Sequence, residues 1–594
     1  MSTETKLPER LTGAHFLLEE TDPATVFTRE DLSSEERQMM DTAEKFMDKE
    51  IFPRLDALEH QEEGLARKLF TQACDLGLLS IEFPEEYGGL GLHKRSSIGV
   101  SEQLSRLGGF GITCGAHSGI GAQPLIYFGT TEQKSKYLPR LASGEWMAAY
   151  CLSEAGSGSD ALGMKTKAVL SPDGKHYILN GVKMWITNAA WADLFTVFAK
   201  VDGEKVTAFL VERGYAGVST GKEEHKLGIK TSSTRRVILE DVQVPVENVL
   251  GEVGKGGYIA FNILNFGRYS LAAGAIGAAR GQMKFAAKYA QERTQFGKPI
   301  ASFGLIKEKL ANMAVKVYAG ESANFRTAGL IDEVFESGLM LDTVKPGFSL
   351  ALDEFAIECS ALKFRCTEIA FEVADESIQV HGGYGFTEEF PAARALRDSR
   401  INRIFEGTNE INRLFIPATL LRRDQRGRFP LMKTALMLYA KKMFLRAPGD
   451  TGDSLQNAAA SLAQAKKLVF LFAGTAGRKF GTKIIDEQEV LAALSDIVAD
   501  IYLSESAVLR ALKARVRGGA NAGLHATLAV LYTNDSFVRL EAHARRILEV
   551  CTDPKDVVSQ LSDARKFLGW TPVNTTALRH EVAQAVCERV GPAV

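Results

Sequence analysis

The segment from Gln379 to Arg413 contains many of the residues whose types and spacing could do chemistry. Gly382 and Gly383 would let a ligand approach the backbone closely, because no Cβ stands in the way. Glu406 follows downstream, between an aromatic residue and a glycine. An apolar setting raises the pKa of a carboxyl group toward neutrality, which suits a general base. The segment therefore predicts a carboxylate base near a ligand-binding turn.

Five arginines recur through the same segment, mostly at helical spacing. Residues three or four apart share a helix face, so several of these cations could act together. Such a ladder is more often a salt-bridged or solvated face, and a glutamate before Gly-Thr is often only a helix cap. On the residues alone, a catalytic and a structural interpretation both stay open. The five are Arg394, Arg397, Arg400, Arg403 and Arg413.

The segment resembles the C-terminal signature of the acyl-CoA dehydrogenase family, in which the glutamate of the EGT triplet is the base. Two further family signatures precede it in the same order: AAYCLSEAGSGSDALGMKTKA with KMWITN at 148–188, and RTQFGKPI at 293–300. The resemblance implies that Glu406 removes the α-proton of an acyl-CoA while the β-hydrogen leaves as hydride to FAD. Its backbone N–H would help to polarise the thioester carbonyl. A minority of the family places the base on the helix that here spans 258–270, but this segment has no acid.

The same resemblance assigns residues to FAD. One group would line the flavin ring and the edge where it meets the acyl chain, and another would hold the pyrophosphate and adenosine, partly of an adjoining subunit. A cofactor shared in this way requires a homo-oligomer. The ring residues are Tyr150, Cys151, Leu152, Ser153, Gly158, Ser159, Trp185, Ile186 and Thr187. The nucleotide residues are Arg293, Thr294, Gln295, Phe296, Gln379, Val380, His381, Gly382, Gly383, Thr408, Asn409 and Glu410.

For the acyl-CoA substrate, the resemblance points to a helix segment that contacts the nucleotide end and to two turns. The family frequently has an acid where Asn265 stands, so the chain departs from the pattern there. Small residues at 113–118 occupy the region that lines the pocket floor, which favours a long acyl chain. The substrate residues are Ser159, Asn265, Phe266, Gly267, Arg268 and Gly407.

Length and composition limit the class of protein. The 594 residues exceed one hydrophobic core, so two or more domains are expected. A formal net charge of −2 gives no basic excess for nucleic acid. The seven cysteines form no C-x-x-C pair and no metal-like grouping, which is typical of reduced thiols inside a cell. The N-terminus has no apolar signal core, so a cytoplasmic protein is expected.

Hydrophobic periodicity predicts a mainly α protein with an inserted β domain. We expect a helical N-terminal domain at 1–147, a middle β-barrel-like domain at 148–255, a four-helix bundle carrying the glutamate at 256–421 and an additional C-terminal helical domain at 431–594. Gly274, Gly277 and Gly281 lie in a helical pattern without a preceding strand. Close helix packing is therefore favoured for them over a dinucleotide-binding loop.

The C-terminal extension resembles that of the very-long-chain subgroup, whose members are often homodimers. Its first part, from Arg422 to Arg446, carries eight Lys or Arg against one acid. Such a segment fits an anionic membrane surface or an interdomain helix with a solvated basic edge, and we favour the second.

The predicted function is a dehydrogenase of fatty acid β-oxidation that passes electrons to an electron-transfer flavoprotein. Two alternatives stay open. An acyl-CoA oxidase would give the electrons to oxygen, and a scaffold or assembly protein could use the same fold without its chemistry.

Overall fold

The computed structural model describes residues 8–337, 347–441, 448–569 and 572–594. Helices occupy both ends of the chain, and a β-rich part lies between them. The N-terminal part is helical, with well-formed caps: the Ser33 hydroxyl accepts from the Glu36 N–H, while the Glu36 carboxylate accepts from the Ser33 N–H. Its helices are α1 (Ser34–Phe46), α2 (Leu55–Glu59), α3 (Leu65–Asp75), α4 (Lys94–Leu104), α5 (Gly108–Gly115), α6 (Gln123–Phe128) and α7 (Thr131–Ala142).

The middle part is an eight-stranded sheet. Its strands are β1 (Ala148–Cys151), β2 (Lys167–Leu170), β3 (His176–Thr187), β4 (Leu194–Val201), β5 (Lys205–Glu212), β6 (Val218–Thr220), β7 (Thr234–Pro245) and β8 (Val249–Leu250). They follow the order β6-β7-β3-β2-β4-β5-β8, with β1 parallel to β4. The antiparallel pairing of β3 with β7 shifts between Lys183 and Ile186. Trp185 lies inside this irregularity with a left-handed φ of 57°.

A helical bundle follows the sheet. It consists of α8 (Gly256–Glu292), a hairpin of β9 (Thr294–Gln295) and β10 (Lys298–Pro299), α9 (Gly304–Glu336), α10 (Gly347–Glu354), α11 (Ala356–His381), α12 (Pro391–Arg400) and α13 (Asn409–Gln425). The long helix α8 packs along α11, α9 and α4. A Cβ added at Gly277 would lie 2.6 Å from the carbonyl carbon of Glu102 on α4. Close helix packing at this glycine is confirmed.

The described residues of the C-terminal part form the α-helices α14 (Leu431–Lys441), α15 (Ser454–Phe480), α16 (Gln488–Arg517), α17 (Ala522–Cys551), α18 (Pro554–Leu568) and α19 (Thr575–Arg589). Apolar side chains of α15 to α19 join those of α8, α9 and α11 in one continuous core. Polar contacts reinforce this junction, since Arg510 of α16 binds Glu321 of α9 at 2.8 Å and also pairs with Glu30. The C-terminal helices are therefore part of the folded bundle.

The basic segment predicted at 422–446 is only partly covered, because residues 442–447 lie outside the described residues. Within the described ranges, no helix combines the length and the apolar character needed to cross a membrane.

Candidate active site

Glu406 lies in the short turn that precedes α13. Its φ of 57° and the φ of 78° at Gly407 are both left-handed. This conformation is uncommon for a residue with a Cβ and needs support from its surroundings. Thr408 ends the turn by capping α13, since its hydroxyl accepts from the Ile411 N–H at 3.2 Å. The EGT triplet thus forms a tight, capped turn that points one carboxyl group away from the helix.

Three side chains hold the backbone of this turn. Lys363 of α11 donates to the carbonyl oxygen of Gly407 at 2.6 Å, and Asn412 donates to the same oxygen at 2.9 Å. Arg268 of α8 donates to the carbonyl oxygen of Glu406 at 3.4 Å. Two neighbouring helices and α13 itself therefore stabilise the unusual dihedral angles.

The Glu406 carboxyl group packs against α8 at Gly267. A Cβ added at Gly267 would lie 2.6 Å from the Cδ of Glu406. Among the described residues, Oε2 is buried without a hydrogen-bond partner. Burial raises the pKa of Glu406 to about 7, and the cations of Arg268 and Lys363 oppose this rise. A carboxyl group with these properties can exchange a proton near neutral pH.

Glu406 opens into a cavity of about 1220 Å³, a volume that includes its mouth. The walls come from α4, α5, α8 and the turn of Glu406, together with Thr187 at the end of β3. Many of the wall residues are small, so the backbones themselves bound much of the space. The glycines among them are Gly108, Gly111, Gly115, Gly119, Gly267 and Gly274.

Only some residues of the predicted pocket floor at 113–118 line the cavity. Cys114, Gly115, Ala116 and Ser118 line the cavity. The His117 side chain is buried. Its Nε2 contacts the carbonyl oxygen of Leu141, and its Nδ1 accepts a hydrogen bond from the Ala148 N–H. An acid that the sequence analysis missed also lines the cavity: Glu82, which pairs with the buried Lys94.

The predicted flavin-ring residues divide according to which way their side chains point. Tyr150, Cys151, Leu152 and Ile186 are buried in the hydrophobic cores around the sheet, so only their backbone could face a ligand. Trp185 is 56% exposed, and Thr187 lines the Glu406 cavity. Ser153, Gly158 and Ser159 lie at or near the surface on the loop after β1.

That loop is organised by a buried ion pair. Lys183 of β3 donates to the Glu154 carboxylate at 2.8 Å and to the carbonyl oxygen of Leu152 at 3.1 Å. Glu154 also accepts from the backbone amides of Lys165 and Thr166. The pair therefore fixes both ends of the loop that carries Ser153 to Ser159.

A second pocket, of about 800 Å³, is lined by half of the predicted nucleotide residues. A Cβ added at Gly382 or Gly383 would meet no atom within 4 Å, so this wall is open. Thr294 and Phe296 lie in the adjoining exposed hairpin, where Phe296 is 93% exposed. The predicted residues that line the pocket are Arg293, Gln295, Val380, His381, Gly382 and Gly383.

Residues 408–410 do not line this second pocket. Thr408 is the cap of α13, and Asn409 is buried, with its amide oxygen accepting from Lys363 at 2.8 Å. Glu410 is exposed on the first turn of α13. These three residues, which were predicted to bind the nucleotide of FAD, therefore lie beside Glu406.

The structure also places Asn265 and Arg268 differently from the expected contact with the substrate's nucleotide. Both are buried, and Arg268 donates to the amide oxygen of Asn265 at 2.8 Å. Because Arg268 also holds the carbonyl oxygen of Glu406, the pair supports the turn from within. Phe266 and Gly267 do line the cavity.

The five arginines of the opening segment are mostly engaged in structural contacts. Arg394 pairs with Glu59 at 3.5 Å and Arg397 with Glu388 at 3.1 Å. Arg403 lies over the ring of Phe371. Arg413 links α13 to Glu368 of α11 and to Asp496 of α16.

Lys363, the Lys183–Glu154 pair and the Lys94–Glu82 pair escaped the sequence analysis. A signal existed for two of them, since Lys363 and Lys183 each stand in a largely apolar stretch of a buried helix or strand. Buried lysines are rare unless they have partners. Their partners, however, lie too far along the chain to be found by spacing.

Family models match four parts of the chain. They are described as the acyl-CoA dehydrogenase N-terminal domain at 33–145, the middle domain at 149–242 and the C-terminal domain at 254–421. A further model, also described as an acyl-CoA dehydrogenase C-terminal domain, matches 464–566. Together they span most of the described helices and strands.

Individual relatives agree with these matches. A probable acyl-CoA dehydrogenase of Bacillus subtilis is 46% identical over 97% of each chain. The human mitochondrial very long-chain specific acyl-CoA dehydrogenase is 44% identical over 64% of this chain and 56% of its own. The crystal structure of an acyl-CoA dehydrogenase from Bacillus anthracis, complexed with FAD, superimposes with a TM-score of 0.95 at 46% identity, covering 98% of this chain and 100% of that one. The chain therefore belongs to the acyl-CoA dehydrogenase family.

Proposed function

We propose that this protein is an FAD-dependent acyl-CoA dehydrogenase that converts a long-chain acyl-CoA to a trans-2-enoyl-CoA in fatty acid β-oxidation. One observation carries the proposal: Glu406 and Thr187, which come from two separate family signatures, line the same cavity. A base and a flavin-facing residue must meet at one place if they act on the same substrate.

The residues around Trp185 fit a flat ring system. Trp185 presents an exposed indole next to Thr187, and the loop after β1 offers backbone amides and small residues. A Cβ added at Gly156 or Gly158 would meet no atom within 4 Å, so the loop leaves open space for a ligand. When bound, FAD supplies the acceptor for the β-hydride.

Glu406 would take the α-proton of the thioester. Its raised pKa makes the carboxylate basic enough to accept this proton, while the carboxylate form is still populated near neutral pH. Gly267 lets the carboxylate lie flush with α8, which leaves the cavity free for the acyl chain. We assign the polarisation of the thioester carbonyl to the Glu406 backbone N–H.

The preference for long chains rests on the walls of the cavity. Small residues of α5 and α8 line the cavity, and one of the glycines leaves open space within it. Gly115 shows this directly, because a Cβ added there would meet no atom within 4 Å. The cavity therefore has room for an extended chain beyond the reacting carbons.

The second pocket supports a homo-oligomer, which we propose is a dimer. Gly267, beside the base, and Tyr289, in the second pocket, lie on the same helix about 33 Å apart at the rise of an α-helix. This separation favours a pocket that serves the FAD of a second subunit. The nearby exposed Phe296 and Phe386 offer apolar surface for such a contact.

Anaerobic flavin reduction tests the function. Purified protein carrying FAD should lose its oxidised flavin absorbance when mixed with saturated long-chain acyl-CoA. The Glu406→Gln variant should retain FAD but show no reduction, because the amide cannot accept the proton. Normal reduction in this variant would remove Glu406 as the base, and absence of reduction in the unmodified protein with any acyl-CoA would reject the function.

The electron acceptor separates the proposed dehydrogenase from an oxidase. We propose an electron-transfer flavoprotein as the partner that reoxidises the flavin. Reduced protein exposed to oxygen should therefore form little hydrogen peroxide, and turnover should require an added electron-transfer flavoprotein or an artificial acceptor. Rapid peroxide formation at each turnover would instead favour an acyl-CoA oxidase.

A further inference from the structure

Lys363 is a buried cation beside the base. Within the described residues, its hydrogen bonds go to the turn that carries Glu406 and to the first residue of α13. It lies in α11 with no measurable exposure. Its ammonium group donates to the carbonyl oxygen of Gly407 at 2.6 Å and to the amide oxygen of Asn409 at 2.8 Å. Both acceptors are neutral. A buried ammonium normally needs a carboxylate close by to offset its desolvation.

The acids near Lys363 differ in how far their charge is already balanced by other cations or screened by solvent. Glu368 binds Arg413 at 2.8 Å and lies 3.7 Å from Arg365. Glu410 is exposed to solvent, which screens its charge. Glu406 has no salt bridge within 4 Å among the described residues, and its Oε2 has no hydrogen-bond partner there. Of these three acids, Glu406 is therefore the best counter-charge for Lys363.

We infer that Lys363 is a positioning residue for the proposed reaction: it clamps the left-handed turn at 406–407 and holds Glu406 in its carboxylate form until the substrate delivers its proton. This inference rests on the proposed function. Lys363 itself exchanges no proton with the substrate, so the proton leaves the α-carbon and arrives at Glu406 as before.

The effects of Lys363 and Glu406 on each other's pKa agree with this role. Burial raises the pKa of Glu406 and the Lys363 cation lowers it, while burial lowers the pKa of Lys363 to about 7 and Glu406 raises it. Each charge therefore stabilises the other, and Lys363 supports the carboxylate as long as it keeps its own proton. Arg268 of α8 also faces both groups, and the Tyr150 phenol of β1 faces Glu406. Glu368 of α11 and Glu410 of α13 complete the charged groups around Lys363.

The clamp explains why the turn keeps its shape. Glu406 is a residue with a Cβ in a left-handed conformation, which costs free energy unless the surroundings enforce it. Asn409 transmits the constraint further, since its amide also donates to Thr367 and to the carbonyl oxygen of Phe364. The turn of Glu406 is thus tied to α11 through both the Lys363 ammonium group and the Asn409 side-chain amide.

The test uses the FAD-bound protein with Lys363→Met, which keeps the length of the side chain but removes its charge and donors. The rate of anaerobic flavin reduction is measured against pH with a saturating acyl-CoA. We expect the rate at neutral pH to fall about 100-fold and the pH midpoint to rise by about one unit, with FAD retained. Lys363→Arg should keep the midpoint of the unmodified protein.

Lys316→Met is the matched control, because Lys316 pairs with Glu372 at 2.7 Å on the partly exposed side of the same bundle. It should leave both rate and midpoint unchanged. If Lys363→Met holds no FAD, Lys363→Gln replaces it as a smaller change. A midpoint and rate equal to those of the unmodified protein in either flavin-bound variant would overturn the inference.

Loss of FAD by both neutral variants would also overturn it, since Lys363 would then serve folding rather than the base. Failure of the proposed function has a different signature. In that case the unmodified protein would not be reduced by any acyl-CoA, whereas failure of the Lys363 inference alone leaves that reduction intact.

Discussion

The Glu406 carboxyl group rests directly against the backbone of Gly267. These residues are far apart in sequence, yet a Cβ added at Gly267 would stand 2.6 Å from the Cδ of Glu406. No rotation of such a methyl group could relieve this overlap, because Cβ is fixed by the helix backbone. The position of the base therefore depends on the absence of a side chain on the neighbouring helix.

Gly267→Ala should displace the carboxylate without unfolding the protein. We expect a loss of about 100-fold in the rate of flavin reduction, since small displacements of a reacting group are costly. Stopped-flow absorbance with a long-chain acyl-CoA measures this rate. Gly281→Ala is the control on the same helix, because its added Cβ would be 3.7 Å from Arg106 and should not disturb the site. Equal rates for both variants would show that the contact is unimportant.

Flavin reduction should depend on pH through Glu406. The base acts as a carboxylate, and burial raises its pKa to about 7. Lowering the pH through this value protonates the group, so the rate should fall with decreasing pH, with a midpoint near 7. Rates measured with saturating substrate on either side of neutrality would show this profile. A rate that stays constant down to acidic pH would argue against Glu406 as the titrating group.

Gly115→Leu should shorten the accepted acyl chain. The new side chain would enter open space in the cavity, because an added Cβ at Gly115 meets no atom within 4 Å. Activity with long-chain substrates should drop while activity with butyryl-CoA is retained. A chain-length series with an artificial electron acceptor measures the change. Gly523→Leu, at an equally open position on α17, should not alter the profile.

Gly383→Leu should weaken FAD binding by filling the second pocket. The added side chain would meet no protein atom near its Cβ, so the chain should still fold. We expect a lower FAD content after gel filtration and a weaker subunit association, because the pocket is proposed to hold a partner's cofactor. Gly519→Leu, at an exposed and equally open position, is the comparison. Full FAD occupancy in Gly383→Leu would contradict the shared site.

Arg510→Met should destabilise the junction between the C-terminal helices and the bundle. Arg510 is buried and binds the Glu321 carboxylate, which has 3% side-chain exposure. Removing one partner of a buried pair costs about 3–5 kcal/mol when the other charge is left without compensation. Because Glu321 also pairs with Arg29 and Arg280, we expect a smaller loss, about 1–3 kcal/mol. The free energy of unfolding, from urea denaturation, measures the loss. Arg545→Met removes only an exposed pair with Glu549 and should leave the free energy of unfolding nearly unchanged.

Stability at this junction should also depend on pH. Burial alone would raise the pKa of Glu30, but attraction to Arg510 outweighs burial and lowers the pKa to about 2. The contribution of Glu30 is therefore present above its ordinary pKa of 4.5 and is lost as the pH falls toward 2. Arg510→Met should flatten this part of the pH dependence of unfolding. An unchanged acid profile in the variant would show that the pair does not act in this way.

Sequence reasoning was strongest where local patterns carry the information. Helical periodicity, β-rich runs and turn residues predicted a sheet inserted between helical parts, which the structure confirms. Side-chain direction was harder to predict. Lys183 is buried, yet Trp185, two residues further along β3, is exposed, and Ile186 is buried instead. Simple alternation would place Lys183 and Trp185 on the same face, and the shift in the pairing of β3 with β7 between Lys183 and Ile186 accounts for the change.

The sequence by itself determined the family, the order of the parts and the identity of Glu406 as the candidate base, because these depend on short motifs. The tertiary structure alone decided what surrounds that base. Gly267, Arg268 and Lys363 reach it from α8 and α11, and their contacts with the turn depend on how the helices pack. The apolar neighbours of Glu406 in the sequence suggested a raised pKa, but the burial and the nearby charges that set it arise only from this packing.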